Sequence, residues 1–371
     1  MLVTSQLHQF YQSFSTEFGA IIEQPQIAFE QYGQIDGPVI ILAHGGLSSH
    51  HAAGRYQKDD ILPGWWDGLV GEGKVFDTSK YRIISTNALG SMYGTSSALT
   101  INPATGKKYG ASFPMVTMVD QAKFLYRFLQ ELGINHIELM AGPSMGSLLT
   151  LEMAAQYPDF IGKAISVATA GRMTPDGLAM HHFMINTIKM DADFNKGDYD
   201  DSSPLTSMRI VAQAIKFYYM HENIIKKLCW DNVEERSDSQ QQRSDNVSEF
   251  VQGNSDQEII GRDANCYITT LNAINSFDLG KGQVNFTAGV QRIKCPILLM
   301  NIDTDREFNV KWAQEVADIL NRQFDEKVEP LQAQLHLITS DWGHLGCVKE
   351  VEQLTMHIDS FLNLPVSTCE S

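Results

Sequence analysis

The stretch Gly142-Pro143-Ser144-Met145-Gly146 constrains this chain more than any other. It lies between a short apolar run, His136-Ile137-Glu138-Leu139-Met140-Ala141, and a segment from Ser147 to Tyr157 that reads as a helix stopped by Tyr157-Pro158-Asp159. A Gly-x-Ser-x-Gly turn between strand and helix is the layout of a nucleophile elbow, which presents the serine Oγ at the strand's end. Glycines flank the serine because so strained a turn leaves no room for Cβ atoms against the neighbouring helix and strand. Many idle turns imitate a five-residue pattern, so the serine gains meaning only if the rest of the chain supplies its partners.

Several other runs read as buried strands: Pro38 to Ala43, Tyr81 to Thr86, Ala164 to Ala168 and Pro296 to Asn301. Helical patterns separate many of them, notably Val119 to Leu132 and Val310 to Leu320. Such alternation predicts an α/β fold with a mainly parallel sheet covered by helices on both faces. Between Arg172 and about Asn285 the text turns Met-, Asn- and Asp-rich and helical, without convincing strands. The expected organisation is a core of residues 1–171 and 286–371 with a helical cap, or lid, inserted over 172–285. Within the cap, Asp231 to Asp263 is highly polar, with Glu234-Glu235-Arg236 and Gln240-Gln241-Gln242, and reads as a solvated helix surface or mobile loop.

The 371 residues include no Pro- or Ser-rich linker, which favours one enlarged domain over two equal ones. A net charge of -16, with no dense cluster of Lys and Arg, argues against a nucleic-acid or anionic-membrane partner. The first fifty residues hold no Lys or Arg, unlike a signal peptide, and no stretch approaches a membrane span. Five scattered cysteines (Cys229, Cys266, Cys295, Cys347 and Cys369) have no metal-site spacing. They predict free thiols in a reducing cytoplasm and no metal site.

A serine hydroxyl needs a base to take its proton, and the base needs an acid to fix its tautomer. On a sheet of this kind the order along the chain is serine, acid, histidine, each after a strand's carboxyl end. After the run ending at Asn301 come Asp303 and Asp305, in Ile302-Asp303-Thr304-Asp305-Arg306-Glu307-Phe308. Either fits the acid's place. After Leu335 to Ile338 comes Ser340-Asp341-Trp342-Gly343-His344, and its glycine-containing loop makes His344 the candidate base. His50, His51, His181, His182 and His221 lack that position and read as surface or pocket-lining residues. An oxyanion hole takes one backbone N–H from Met145 and a second from the loop Ala43-His44-Gly45-Gly46-Leu47, where Gly46 is the first choice and Leu47 the next.

Beyond the elbow, the segments Phe76-Asp77-Thr78-Ser79-Lys80-Tyr81, Asn87-Ala88-Leu89-Gly90-Ser91-Met92-Tyr93-Gly94 and Ile101-Asn102-Pro103-Ala104-Thr105-Gly106-Lys107 stand out. With Asp263-Ala264-Asn265-Cys266-Tyr267 and Phe277-Asp278-Leu279, they make the chain resemble the homoserine O-acetyltransferase family from about Ile27 to near Leu362. The Asn-Pro-x-Thr-Gly segment separates that family from general esterases. The resemblance implies an α/β-hydrolase fold, Ser144, Asp305 and His344 as the triad, and a lid over a narrow tunnel. It further implies a homodimer built through the lid and ping-pong acyl transfer from acetyl-CoA, a co-substrate, with no permanently bound cofactor. The expected activity is thus serine-dependent transfer of a short acyl group to a small hydroxyl acceptor, with homoserine acetylation in methionine biosynthesis leading. Hydrolysis by water on the same scaffold is the alternative.

Arg209 lines up with the family's substrate-binding arginine, whose guanidinium can hold a carboxylate through two parallel hydrogen bonds. Directly after the base, where homoserine-using members carry an aspartate for the substrate ammonium, this chain has Leu345. Leucine cannot make that contact, and losing a charge-assisted hydrogen bond weakens recognition about ten- to hundredfold. Pro143 and Ser147 also stand where small, glycine-like positions are usual in the family.

Overall fold

Eight segments pair into one sheet: β1 Gln6–Gln9, β2 Gln26–Gly33, β3 Val39–Ala43, β4 Arg82–Thr86, β5 Ile137–Pro143, β6 Ile161–Val167, β7 Ile297–Ile302 and β8 Ala333–Ile338. Their spatial order is β1-β2-β4-β3-β5-β6-β7-β8. The six strands from β4 to β8 in that order run parallel, and only β2 and β1 pair antiparallel at one edge. The computed structural model describes residues 1–200, 205–233, 238–253, 259, 261–322 and 332–363. Glu234-Glu235-Arg236 and Cys369 lie outside the described residues.

The central strands are buried on both faces, which is why they read in the sequence as unbroken apolar runs. On β6 the two faces are marked by residues of opposite parity. Ser166 Oγ donates to the Ser147 carbonyl of one helix, α2 (Met145–Gln156), while Lys163 Nζ donates to the Leu362 carbonyl of another, Val351–Leu362. Helices therefore cover both faces. Helix α1 (Met118–Glu131) packs beside α2 and starts at a capping box, in which Thr117 and Asp120 exchange hydrogen bonds.

Between β6 and β7 the described residues include the helices α3 Pro175–Met190, α4 Thr206–Tyr219, α5 Glu222–Trp230, α6 Ser239–Gln252 and α7 Ala264–Asn275, followed by a short helix at Phe286–Val290. Among the described residues this insertion holds no strand, only an isolated bridge between Arg172 and Asp278. Backbone bonds from Met173 N to Phe277 O (3.0 Å) and Leu279 N to Gly171 O (3.0 Å) tie its two ends together. Gln240, Gln241 and Gln242 fall in α6, which has one buried residue, so that part of the polar stretch is a solvated helix. The helix read at Val310 to Leu320 spans Val310–Asn321, and the one read from Ser147 starts at Met145.

Candidate active site

Ser144 sits between β5 and α2 with φ 55° and ψ -124°, a conformation L-residues rarely hold. Its amide donates to Val167 O of β6 at 2.9 Å, which fixes the turn to the sheet. A Cβ on Gly142 would lie 2.6 Å from Ala43 O, and one on Gly146 would lie 2.1 Å from the same oxygen. The flanking glycines are thus required by the approach of β3. Ser147 is accommodated because its hydroxyl turns back to donate to Ser144 O (2.6 Å).

His344 Nε2 stands 2.9 Å from Ser144 Oγ, and His344 Nδ1 stands 2.8 Å from Asp305 Oδ2. With the Nδ1 proton donated to Asp305, Nε2 is free to accept the serine proton. Asp305 is buried, and its second oxygen, Oδ1, accepts the amides of Glu307 (2.8 Å) and Phe308 (3.2 Å). Asp303 takes a different part. It accepts the Ser340 amide at 3.0 Å and so ties the loop after β7 to the loop that carries His344. The rings of Tyr219 and Phe308 pack against the imidazole, with centroids 4.9 and 5.8 Å away. Burial alone would lower the His344 pKa, but the charge and hydrogen bond of Asp305, with the charge of Glu307, push it up to about 9.

The amides of Gly46, Leu47 and Met145 donate to no protein acceptor among the described residues. Met145 opens α2, where a first-turn N–H has no partner in the helix. A Cβ on Gly46 would meet Ile274 Cδ1 of α7 at 2.8 Å, so a larger residue here requires that side-chain end to shift. His44, given no role from the sequence, holds this loop in place. Its Nδ1 is 2.7 Å from Gly45 O, and its Nε2 accepts the Ala88 amide at 3.0 Å. Full burial lowers its pKa to about 4, which keeps the imidazole neutral and able to accept that amide.

These groups open onto a cavity of about 280 Å³, walled by core loops on one side and by α3, α4 and α7 on the other. An α/β-hydrolase family model matches residues 38–350. The chain is 32% identical to homoserine O-acetyltransferase of Nautilia profundicola, over 98% of this chain and 99% of that one. It is equally 32% identical to the homoserine O-acetyltransferase of Deferribacter desulfuricans, over 98% and 96%. The chain belongs to the homoserine O-acetyltransferase family. This is a family of acyltransferases on the α/β-hydrolase fold. Among solved structures, the homoserine O-acetyltransferase of Bacillus anthracis shares the fold with a TM-score of 0.89 at 23% identity, covering 99% of each chain. Esterase E22 is also similar, with a TM-score of 0.87 at 26% identity, over 98% of this chain and 100% of that one.

For a chain of the homoserine O-acetyltransferase family, the charges around the cavity differ from the sequence expectation. Arg209 is exposed on α4 and does not line the cavity; Arg262, just before α7, does. The helical register explains this placement, because α4 turns Ile215 and Tyr219 inward and leaves Arg209 on the outer face. Leu345 lines the cavity and brings no charge. Glu307, present in the sequence beside the candidate acids but given no role, also lines it. A charged residue two positions after an acid in a strand-end loop was the available signal.

Of the other histidines, His181 lines the cavity, His182 is exposed, and His221 caps α5. His50 and His51 are neither surface nor cavity residues, since His50 is buried against Ser5 and His51 pairs with buried Glu30. Cys229, Cys266, Cys295 and Cys347 are free and buried, and burial raises each thiol. Among the described residues no His, Cys, Asp and Glu cluster is placed to hold a metal, and no helix is long and apolar enough to cross a membrane.

Proposed function

We propose that the chain is a serine O-acyltransferase that carries an acetyl group from acetyl-CoA to homoserine through an acyl-enzyme. The observation carrying this reading is the hydrogen-bonded line Ser144–His344–Asp305 beside the unpartnered amides of Gly46 and Met145, in a chain of this family. Ser144 Oγ attacks the thioester carbonyl while His344 Nε2 takes the hydroxyl proton. Negative charge develops on the carbonyl oxygen, towards the amides of Gly46 and Met145; one such donor contributes about 3 kcal/mol to the transition state. Collapse breaks the carbon–sulfur bond, and His344 returns the proton to the leaving CoA thiolate. The acceptor hydroxyl then gives its proton to His344 and attacks the acyl-serine, and the proton ends on Ser144 Oγ. Arg262 is the cavity residue suited to an acceptor carboxylate.

In this reading residues 172–285 act as a lid, whose helices narrow the access of water to the acyl-serine. Exposed Phe183, Ile210, Phe217 and Leu228 on the lid support a homodimer through that surface, to be checked by sedimentation. Buried free thiols suit a cytoplasmic enzyme.

Hydrolysis is the second reading, favoured by uncharged Leu345 and by the likeness to esterase E22. Release of CoA from acetyl-CoA, followed with and without homoserine, separates the two. Transfer predicts acceleration by homoserine together with an O-acetylated product. A rate indifferent to homoserine would contradict it.

A further inference from the structure

The carboxylate of Glu307 is 97% buried, yet only one of its oxygens is used. Oε1 lies 3.1 Å from His181 Nε2, whose ring is held by Asn275 Oδ1 at 2.6 Å from Nδ1. Oε2 is buried and has no partner among the described residues, and it stands 3.9 Å from His344 Nε2 in the wall of the same cavity. The position is built rather than incidental. Glu307 N donates to Asp305, and Glu307 O accepts the Thr174 hydroxyl at the start of α3.

Leaving a buried carboxylate oxygen unpaired forfeits its hydration with nothing in return, so a purely structural glutamate satisfies both oxygens. We propose that Glu307 receives the ammonium group of the acceptor. The inference rests on the transfer reading above. It gives Glu307 the contact that Leu345 cannot make, from the β7 loop instead of the turn that carries the base. The geometry also limits the acceptor. Its hydroxyl must reach His344 Nε2 while its amine reaches Oε2, and those atoms are 3.9 Å apart, so about two or three carbons separate the two groups. The charged and titratable groups around the carboxylate are His181, His344, Asp305, the phenols of Tyr218 and Tyr219, and Arg262 in the wall of the same cavity.

The test compares homoserine with 4-hydroxybutyrate, which lacks only the amine, using 4-nitrophenyl acetate as the acetyl donor. Wild-type enzyme should favour homoserine in kcat/KM by about ten- to hundredfold. Glu307→Gln should bring that ratio close to one, and Glu307→Asp, which keeps the charge, should retain much of it. Taking the ratio within each variant cancels effects of the substitution on His344 or on folding yield. If Glu307→Gln does not fold, Glu307→Leu removes the buried charge altogether and serves the same comparison. A ratio unchanged on removing the charge, or a wild-type enzyme with no preference, would overturn the assignment. If neither compound accepts acetyl, the transfer reading falls, and Glu307 is then judged by inhibition of 4-nitrophenyl acetate hydrolysis. Stronger inhibition by homoserine, abolished in Glu307→Gln, would sustain the ammonium site; equal inhibition by the two compounds would overturn it.

Discussion

Two carboxylates face His344, Asp305 through a hydrogen bond to Nδ1 and Glu307 at 3.9 Å from Nε2, and both favour the protonated ring. With its pKa near 9, the resting imidazole holds a proton at neutral pH, and acylation requires that proton to leave. In the free enzyme kcat/KM should therefore rise with pH to a midpoint near 9. Asp305→Asn removes the larger of the two carboxylate effects. It should move that midpoint down by at least one pH unit and cost kcat on the order of 10⁴-fold. The stability consequence has a definite sign. The folded pKa lies above the ordinary 6.5, so the pairing stabilises fully below 6.5 and its contribution fades as pH rises through about 9. Thermal melts should therefore separate wild type from Asp305→Asn most widely near pH 6 and least above pH 9. A midpoint that ignores the substitution would contradict this account of the base.

At the scale of elements, the loop after β8 and the end of α4 depend on each other. Gly343 has φ +62°, and a Cβ there would lie 2.7 Å from Tyr219 O and 2.9 Å from His221 N. This glycine lets the inserted helices approach the His344 loop closely. Gly343→Ala should cost about 1–2 kcal/mol from the backbone conformation alone, and the clash adds to that. We expect a lower Tm and a raised KM for the acceptor, because Tyr219 must move; unchanged values of both would contradict the contact. Elements with strong periodicity were legible in the sequence. The runs that became β3 to β7 were readable because parallel strands buried on both faces are largely apolar, and the edge strand β8 was readable only by Leu335 to Ile338. The antiparallel edge was not, since β1 is Gln-Leu-His-Gln and β2 buries Glu30, whose partners Tyr32 and His51 emerge only in three dimensions. The same limit applied to the site. Ser144, His344 and the choice between two aspartates could be found from chain order and resemblance, whereas Glu307 and Arg262 required knowing which side chains face the cavity.

For the molecule as a whole, the division of labour is between a sheet that fixes the serine, the acid and the base at its carboxyl edge and an insertion that roofs them. In the proposed reaction the chemistry belongs to the β5, β7 and β8 loops, and selectivity to what the roof and the β7 loop turn inward. The central claim is that Ser144 carries the acyl group between donor and acceptor. Intact-mass measurement after exposure to acetyl-CoA tests it most directly. The account predicts one added acetyl group on the wild-type chain, located at Ser144, absent from Ser144→Ala, and discharged faster by homoserine than by buffer alone. An acetyl group that still forms in a folded Ser144→Ala variant, or a wild-type adduct that homoserine leaves untouched, would contradict it.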